Sequence, residues 1–569
     1  MSMIHLVVGG SPIDLYICEI LAGMGLPFER VGRRSIGGPG KYVAVLAGDV
    51  GLEAEDRSRL REFVRGGGAL LSIGSANGLE ELFGVRGITS LGEAWLRPVD
   101  PVFADLKSSL HVFGGIAFNL SGGKALFEAA DANGEPMGYA GAINRFGKGA
   151  AILIGADLPR SIVHIQQGLR IERDGEPAPD GSAPIDDGML KTEDGLVLDW
   201  ERDRDELEGV RLFLRPIADE LRIIIVKSIL RLASLTGLPL PMIWRCPAGA
   251  RGIGLISHDT DGNDPEKGRR ILDVVRDLGL KTTWCVLYPG GYPPGLYGEL
   301  KRCGMEIGLH FDAMTGDRFR RWSFESLDVQ RQWLIDMTGV EPLSNKNHYT
   351  RWEGRLEFFR WAEELGLRVD QSKGPSKRGT LGFVFGGSHP WRPIDDEGER
   401  PRLMDLIEIN LFSQDMIFLG SPQASPFHPA IVGSEVGRAL MEETARVGGV
   451  AHFLFHPAHI DRPGVREALR ELVEHGRSIG LVWMRSDEIW RWERFKREVR
   501  QEIEVEGERL IWRIAPPEPS PCDVSLLIPR PAKVLKADAG EMGDETIFGF
   551  RFARLTRPLD GPVEIICAI

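Results

Sequence analysis

The sequence predicts an α/β protein in three parts: an open, mostly parallel sheet, a central (β/α) barrel and a small β-rich region at the carboxyl end. Three observations predict it. Apolar strand-like runs alternate with helical stretches over residues 1–165; the alternation resumes between Arg251 and Arg500; and from about Gln501 it gives way to short β-rich runs with proline-rich turns. With 569 residues, 43 % hydrophobic and 27 % charged, the chain has ordinary globular composition and length for more than one core.

In the first part the runs are Ile4–Val8, Asp14–Met24, Tyr42–Ala47, Glu55–Arg65 and Ala69–Ile73, with a late strand at Ala150–Ile154. Strands separated by helical stretches imply parallel pairing with helices on both faces, a flavodoxin-like open sheet. The stretch Leu60-Arg-Glu-Phe-Val-Arg-Gly-Gly-Gly-Ala-Leu-Leu-Ser-Ile-Gly74 runs helix, glycine turn, buried strand, and ends at Gly74-Ser75-Ala76-Asn77-Gly78. In this it resembles the class I glutamine amidotransferase-like fold, whose active members carry a cysteine at that strand-to-helix turn. No cysteine lies there, so the expectation for residues 1–165 is a non-catalytic domain of that type.

Residues 166–250 read as a linker and packing helix. Gly168 to about Glu208 is rich in Asp, Glu, Gly and Pro without a sustained period, as in a linker or an excursion over the surface. Pro216–Leu235 carries apolar residues at helical spacing and is closed by Gly237-Leu-Pro-Leu-Pro-Met242, which predicts a helix packed on the domain that follows. Residues 251–500 supply strands at Gly252–Ile256, Lys281–Leu287, Met305–Leu309, Leu367–Val369, Leu406–Leu411, Val450–Phe455 and Gly480–Met484. Helices at Pro265–Leu278, Ser326–Met337, Leu356–Leu365, Glu435–Arg446 and Val465–His475 lie between them, which fits a complete or slightly incomplete barrel. Residues 501–569 hold Glu502–Val505, Leu510–Ile514, Val524–Ile528, Phe548–Phe552 and Val563–Ile569, a small β-sandwich or β-appendage.

The net charge of −13 argues against nucleic acid as a partner, because neutralising phosphates needs a basic face. No segment approaches the roughly 18 apolar residues of a membrane span. The amino terminus has an apolar run without a preceding basic region or cleavage site, so it reads as a first strand, and a cytoplasmic location is expected. The six cysteines (Cys18, Cys246, Cys285, Cys303, Cys522, Cys567) show no C-x-x-C pairing, which points away from a zinc ribbon or dense disulfides.

Four motifs carry chemistry. Ile253-Gly-Leu-Ile-Ser-His258-Asp259-Thr-Asp261-Gly262 is an apolar strand delivering two carboxylates and a histidine at its carboxyl end, where a barrel builds its active site. The same residues would also suit a turn capping the helix near Pro265. Met305-Glu-Ile-Gly-Leu-His310-Phe-Asp312 again ends an apolar strand in ligand types, followed by Asn345-Lys346-Asn347-His348-Tyr349-Thr350-Arg351 and Ala451-His452-Phe-Leu-Phe-His456-Pro-Ala-His459. A single histidine is more often a core or surface residue than a ligand. Several at strand termini weigh differently, because barrel strands converge at that rim.

In this ordered set, over about 240 residues, the chain resembles a divergent branch of the polysaccharide deacetylase (NodB-like) family, and the barrel is expected to be of the deacetylase type. The resemblance implies Asp259 as general base, Asp261 and His310 as ligands of a divalent metal ion, zinc first, and His456 as general acid. In the family a second histidine usually follows the first four residues later. That position here is Met314, which does not ligate a hard or borderline cation, and His348, in its polar cluster with Tyr349 and Arg351, is the candidate for the third ligand. Arg351 or Lys346 would orient the base or neutralise the tetrahedral intermediate. Val369-Asp370-Gln-Ser-Lys-Gly-Pro-Ser376 and Gly382-Phe383 to Pro390-Trp391 resemble the family's later groove-lining loop, which implies Asp370 bonded to a catalytic side chain and Trp391 stacked on a sugar face; simple packing also accounts for a tryptophan in a chain with 13.

The implied reaction is hydrolysis of an N-acyl, first of all N-acetyl, or O-acyl group, with a carbohydrate or acylated small molecule as partner. Two other readings stand beside it: hydrolysis of another C–N amide bond on the same barrel, and a non-catalytic carbohydrate-binding or scaffold protein of polysaccharide assembly.

Overall fold

The computed structural model describes residues 3–38, 40–175, 188–314, 317–376, 379–398, 400–416, 430–537 and 540–569. In the first sheet five strands run parallel in the order Glu29–Arg30, Ile4–Val8, Val43–Ala47, Ala69–Ile73, Gly149–Ile154. The last three are buried along their whole length, because a strand covered on both faces has no polar side. The sheet then departs from the expected parallel pattern. Pro136–Phe146 pairs antiparallel with Gly149–Ile154 and starts an extension through Lys124–Ala130, Glu93–Pro98 and His111–Phe113, with Val85–Ser90 and Ile116–Leu120 alongside. Most of these strands are joined by loops too short for the crossover that parallel pairing requires; the longer connection between Glu93–Pro98 and His111–Phe113 carries the short helix Pro101–Phe103. At the turn after Ala69–Ile73, Gly74 takes φ +77°, and the Ser75 hydroxyl accepts from the Asn77 N–H at 3.2 Å; the serine closes a turn.

The segment read as a linker or a surface excursion is docked on the neighbouring region. Ile171 bridges Gly354 and Lys191 bridges Arg351, so parts of it run along the barrel rim. The helix Ile217–Thr236, ended by Gly237 at φ +66°, is also placed differently from expectation. It lies on the first sheet, against the strands Val43–Ala47, Ala69–Ile73 and Gly149–Ile154, and touches the helix Ala430–Val447 of the following region as well. Leu221, Ile223, Ile224, Ile225 and Val226 are all buried, so over this stretch the helix has no solvent face.

The central region is a curled, wholly parallel sheet, an incomplete barrel. Its strands are β1 (Gly252–Asp259), β2 (Thr283–Leu287), β3 (Glu306–Phe311), β4 (Ser344–Asn347), β5 (Val369–Asp370), β6 (Ile407–Glu408), β7 (Ser413–Gln414), β8 (Val450–Leu454) and β9 (Leu481–Trp483). They pair in the order β6-β5-β4-β3-β2-β1-β8-β7, with β9 beside the start of β1. β6 and β7 are the ends of one segment that spans the remaining gap: the Ile409 N–H reaches Asp370 O on one side, and the Phe412 N–H reaches His452 O on the other. Sequence periodicity misses β4, which reads Ser-Asn-Lys-Asn and yet is buried throughout. The barrel interior is polar there. Ser344 and Ser486 hydroxyls donate to Glu306, as does Thr283, so the buried polar groups satisfy one another.

At the carboxyl end two four-stranded antiparallel sheets form, one from Arg500–Glu506, Arg509–Ala515, Val563–Ala568 and Lys533–Lys536, the other from Met242–Ile243, Val524–Pro529, Phe550–Arg557 and Glu541–Ile547. The strand Met242–Ile243 comes from before the barrel, so this region is not built from residues 501–569 alone. Among the described residues no helix is long and apolar enough to cross a membrane.

Candidate metal centre and active site

β1 ends at Asp259, and Gly262 (φ +73°) turns the chain before the next helix. Asp264 caps that helix, accepting from the N–H groups of Glu266 and Lys267 at 2.9 and 3.2 Å. Capping therefore does not use Asp259 or Asp261, and both remain at the barrel mouth. β3 delivers His310 beside them, the turn after β4 delivers His348, and the chain leaving β8 delivers His456.

Ligand-type atoms of Asp261, His310 and His348 all lie within 4.8 Å of one another. His310 Nε2 is 3.3 Å from Asp261 Oδ1 and 3.6 Å from Asp259 Oδ2, and His348 Nε2 is 3.7 Å from Asp261 Oδ2. The other ring nitrogens are engaged: His310 Nδ1 with Lys346 O at 2.9 Å, His348 Nδ1 with Asp312 Oδ1 at 3.4 Å. Hydrogen bonds at Nδ1 are what direct a neutral imidazole to present its Nε2 lone pair to a metal ion. Asp261 Oδ1 is buried without a hydrogen-bond donor. A neutral His310 then sets one lone pair against another at 3.3 Å, and only a cation, a proton or a metal ion, reconciles them. One carboxylate and two imidazoles suit a divalent ion such as zinc and leave coordination positions open. Met314 supplies no ligand; its N–H bonds Asp312 Oδ1 at 2.9 Å.

Asp259 is gripped from the opposite side. Lys346, 1 % exposed, sets its Nζ 3.2 Å from Asp259 Oδ1 and 2.6 Å from Ser257 Oγ, which in turn meets His452 Nε2 at 2.8 Å. On the far side of Asp261, His456 Nε2 lies 3.7 Å from Oδ2, while its Nδ1 bonds Asp415 Oδ2 at 2.7 Å; His459 Nδ1 meets the same oxygen at 2.6 Å. Asp415 and Asp312 had no role in the sequence reading. Asp312 was legible as the residue two beyond His310, whereas Asp415 follows the two-residue strand β7 and carries no local signal.

Burial pushes the His348 imidazole down, but hydrogen bonds to Asp261 and Asp312 outweigh it and raise it to about 9. His456 behaves alike: burial opposes its charge, Asp415 restores it, and the ring reaches about 9. Burial would raise the Asp261 carboxyl, yet His310 and His348 hold it well below the usual range. For the metal-free protein the sign follows: the stabilisation from His348 and His456 is complete below their ordinary value of 6.5 and is lost as pH rises through about 9. Melting of the chelator-treated protein is therefore expected to fall between pH 6.5 and 9. Cobalt affinity should rise over the same interval, because His348 must give up its proton to ligate. Parallel trends would contradict this assignment.

Other predicted site residues go elsewhere. Arg351 pairs with Glu353. Asp370 accepts from Asn345 Nδ2 at 3.0 Å and Ser372 Oγ at 2.7 Å, so the expected bond to a catalytic side chain is not among its contacts. Trp391 is fully buried, packed edge-on to Phe359 with its N–H on Asn410 at 3.2 Å, and offers no face to a sugar. His258 is a core histidine, bonded to Phe455 O and Thr282 Oγ1 and pushed down to about 4 by burial.

No family model matches the sequence, and no curated protein matches it. Among solved structures, the carbohydrate deacetylase Agd3 aligns over 100 % of this chain and 99 % of its own at 9 % identity, TM-score 0.43. A Mycobacterium smegmatis protein named as a polysaccharide deacetylase aligns over 44 % of this chain and 93 % of its own at 17 % identity, TM-score 0.34. A Bordetella bronchiseptica protein named as a polysaccharide deacetylase involved in O-antigen biosynthesis aligns over 43 % and 85 % at 16 % identity, TM-score 0.25. All three scores lie below 0.5.

Proposed function

We propose that the chain is a metal-dependent hydrolase that removes an acyl group, N-acetyl in the first place, from a carbohydrate. The observation that supports it most is the convergence of Asp259, Asp261, His310, His348 and His456 at the carboxyl ends of β1, β3, β4 and β8, with His310 Nδ1 already engaged and an orphaned Asp261 oxygen facing its Nε2. Asp261, His310 and His348 would hold a divalent ion, which would supply the Lewis acidity that acidifies water and polarises an acyl oxygen. Asp259 accepts the proton of the attacking water, its carboxylate oriented by Lys346. His456 delivers a proton to the leaving amine, and Asp415 holds that imidazolium in place. A base on one side of the acyl carbon and an acid on the other are what an amide needs, since its nitrogen leaves only when protonated. The carbohydrate class rests on the ordered motifs' resemblance to polysaccharide deacetylases.

The test is elemental analysis of the wild type beside Asp261→Ala, His310→Ala and His348→Ala, followed by acetate release from N-acetylated chitooligosaccharides before and after chelation. About one equivalent of metal, lost in each variant, and acetate release abolished by chelator and restored by zinc are expected. A folded wild type that takes up no zinc, nickel, cobalt or manganese would leave the non-catalytic reading. A metal-bound protein that hydrolyses a small amide but no acylated sugar would leave the other amide.

Asp415→Asn gives a further prediction. The acid works protonated, and Asp415 is the main influence that lifts His456 to about 9 against burial. Loss of that charge should move the alkaline limb of kcat/KM to lower pH. An unmoved limb in a pH 6–10 profile would remove His456 from the acid's role.

A further inference from the structure

The turn that carries His348 is held in a conformation its own residues resist. Tyr349 and Thr350 take φ +57° and +53°, the left-handed region that side chains other than glycine avoid, β-branched threonine above all. Such backbone persists only where its surroundings over-determine it. Thr350 is 3 % exposed, with its Oγ1 3.3 Å from Glu193 Oε2 and 3.0 Å from Ser376 Oγ.

Glu193 does not belong to the barrel. It sits in the short helical turn Thr192–Gly195 of the segment between the first sheet and the barrel, and it is 6 % exposed. Its carboxylate accepts from the Ser376 N–H and, at 2.8 and 3.0 Å, from the Ser376 hydroxyl. The segment itself is anchored, since the Trp352 backbone N–H donates to Leu190 O at 3.0 Å, and within it Asp194 Oδ2 accepts from the Lys191 N–H at 2.7 Å. The loop that Glu193 grips is also tied at Pro375 O by Gln414 Nε2 at 2.8 Å, one residue before Asp415. One carboxylate from outside the barrel thus joins the turn bearing His348 to the loop beside the Asp415–His456 pair.

We propose that Glu193 is a positioning residue for the metal centre: it holds Thr350 in its left-handed conformation and, through that turn, the His348 imidazole against Asp261. The inference rests on the metal-centre reading above. It makes the segment before the barrel a working part of the site.

The test is a cobalt(II) titration of the full chain, followed by visible absorption, for the wild type, Glu193→Ala, Glu193→Gln, Thr350→Gly and Glu193→Ala/Thr350→Gly, with the melting temperature of each metal-free protein recorded. Glu193→Ala should weaken cobalt binding about tenfold or more and alter the absorption bands, as loss of a support behind a ligand does. In the Thr350→Gly background, where glycine adopts the left-handed conformation freely, the same substitution should cost much less. Unchanged affinity and spectrum in both Glu193 variants, or an equal loss in both backgrounds, would overturn the proposal. If Glu193→Ala does not fold, Glu193→Gln and Ser376→Ala, which removes one donor to the same carboxylate, carry the comparison. A wild type that binds no cobalt would instead overturn the metal-centre reading, and this is seen before any variant is compared.

Discussion

Asp259→Asn is expected to lower acyl hydrolysis by a factor of about 10² to 10⁴, the usual worth of a general base, while metal content stays near that of the wild type. Asparagine keeps the shape of the side chain but accepts no proton. Asp261, His310 and His348 are untouched by the change, so the ion-binding set survives. The loss should fall on kcat and leave KM within a few-fold, because the missing proton transfer belongs to the transition state. Lys346 would keep Ser257 Oγ at 2.6 Å but lose its buried carboxylate at 3.2 Å, so some stability is lost as well. Melting temperature and metal content measured beside the rate separate these effects. Full activity in a folded, metal-loaded variant would place the base elsewhere.

Trp391→Ala should be costly to stability and quiet in catalysis. The indole is fully buried against Phe359, and its N–H satisfies Asn410 Oδ1 at 3.2 Å. Truncating a buried tryptophan costs about 3–5 kcal/mol, a large share of the roughly 5–15 kcal/mol by which domains are stable. Denaturant unfolding should show the loss directly. KM for an acylated oligosaccharide, measured where the variant is still folded, should change less than about twofold, because no face of the ring reaches a ligand. A several-fold rise in KM with unchanged stability would restore the sugar-stacking role that the sequence resemblance implied.

Much of the candidate site was readable because its signals are local. An apolar run ending in ligand-type side chains marks a strand that delivers them at its carboxyl end, and Asp259, Asp261, His310 and His456 all have this form. His348 needed a different clue, a polar cluster following a helix, since its strand looks like no strand. Ser344–Asn347 carries no alternation, and its burial depends on Glu306, Ser486 and their neighbours, which lie far away along the chain. The capping alternative for the first motif was resolved only by finding Asp264 on the N–H groups of Glu266 and Lys267. For Asp415 there was nothing local to read: its importance comes from meeting His456, 41 positions on, where the paired strands β7 and β8 end side by side.

What the sequence by itself determined is the order of parts and the residue types offered at each strand end, because periodicity and turn chemistry act over a few neighbouring residues. Tertiary structure decided which of those residues meet, which face solvent and which outside segments complete the site. Trp391, Asp370 and His258 sit in motifs as suggestive as any other, and burial with hydrogen-bond partners in the core accounts for them. Glu193 sits in a stretch with no motif, yet it closes on Thr350 from 157 positions away. Contacts of that separation depend on how the barrel curls and where the preceding segment docks, and no short window of sequence carries that information.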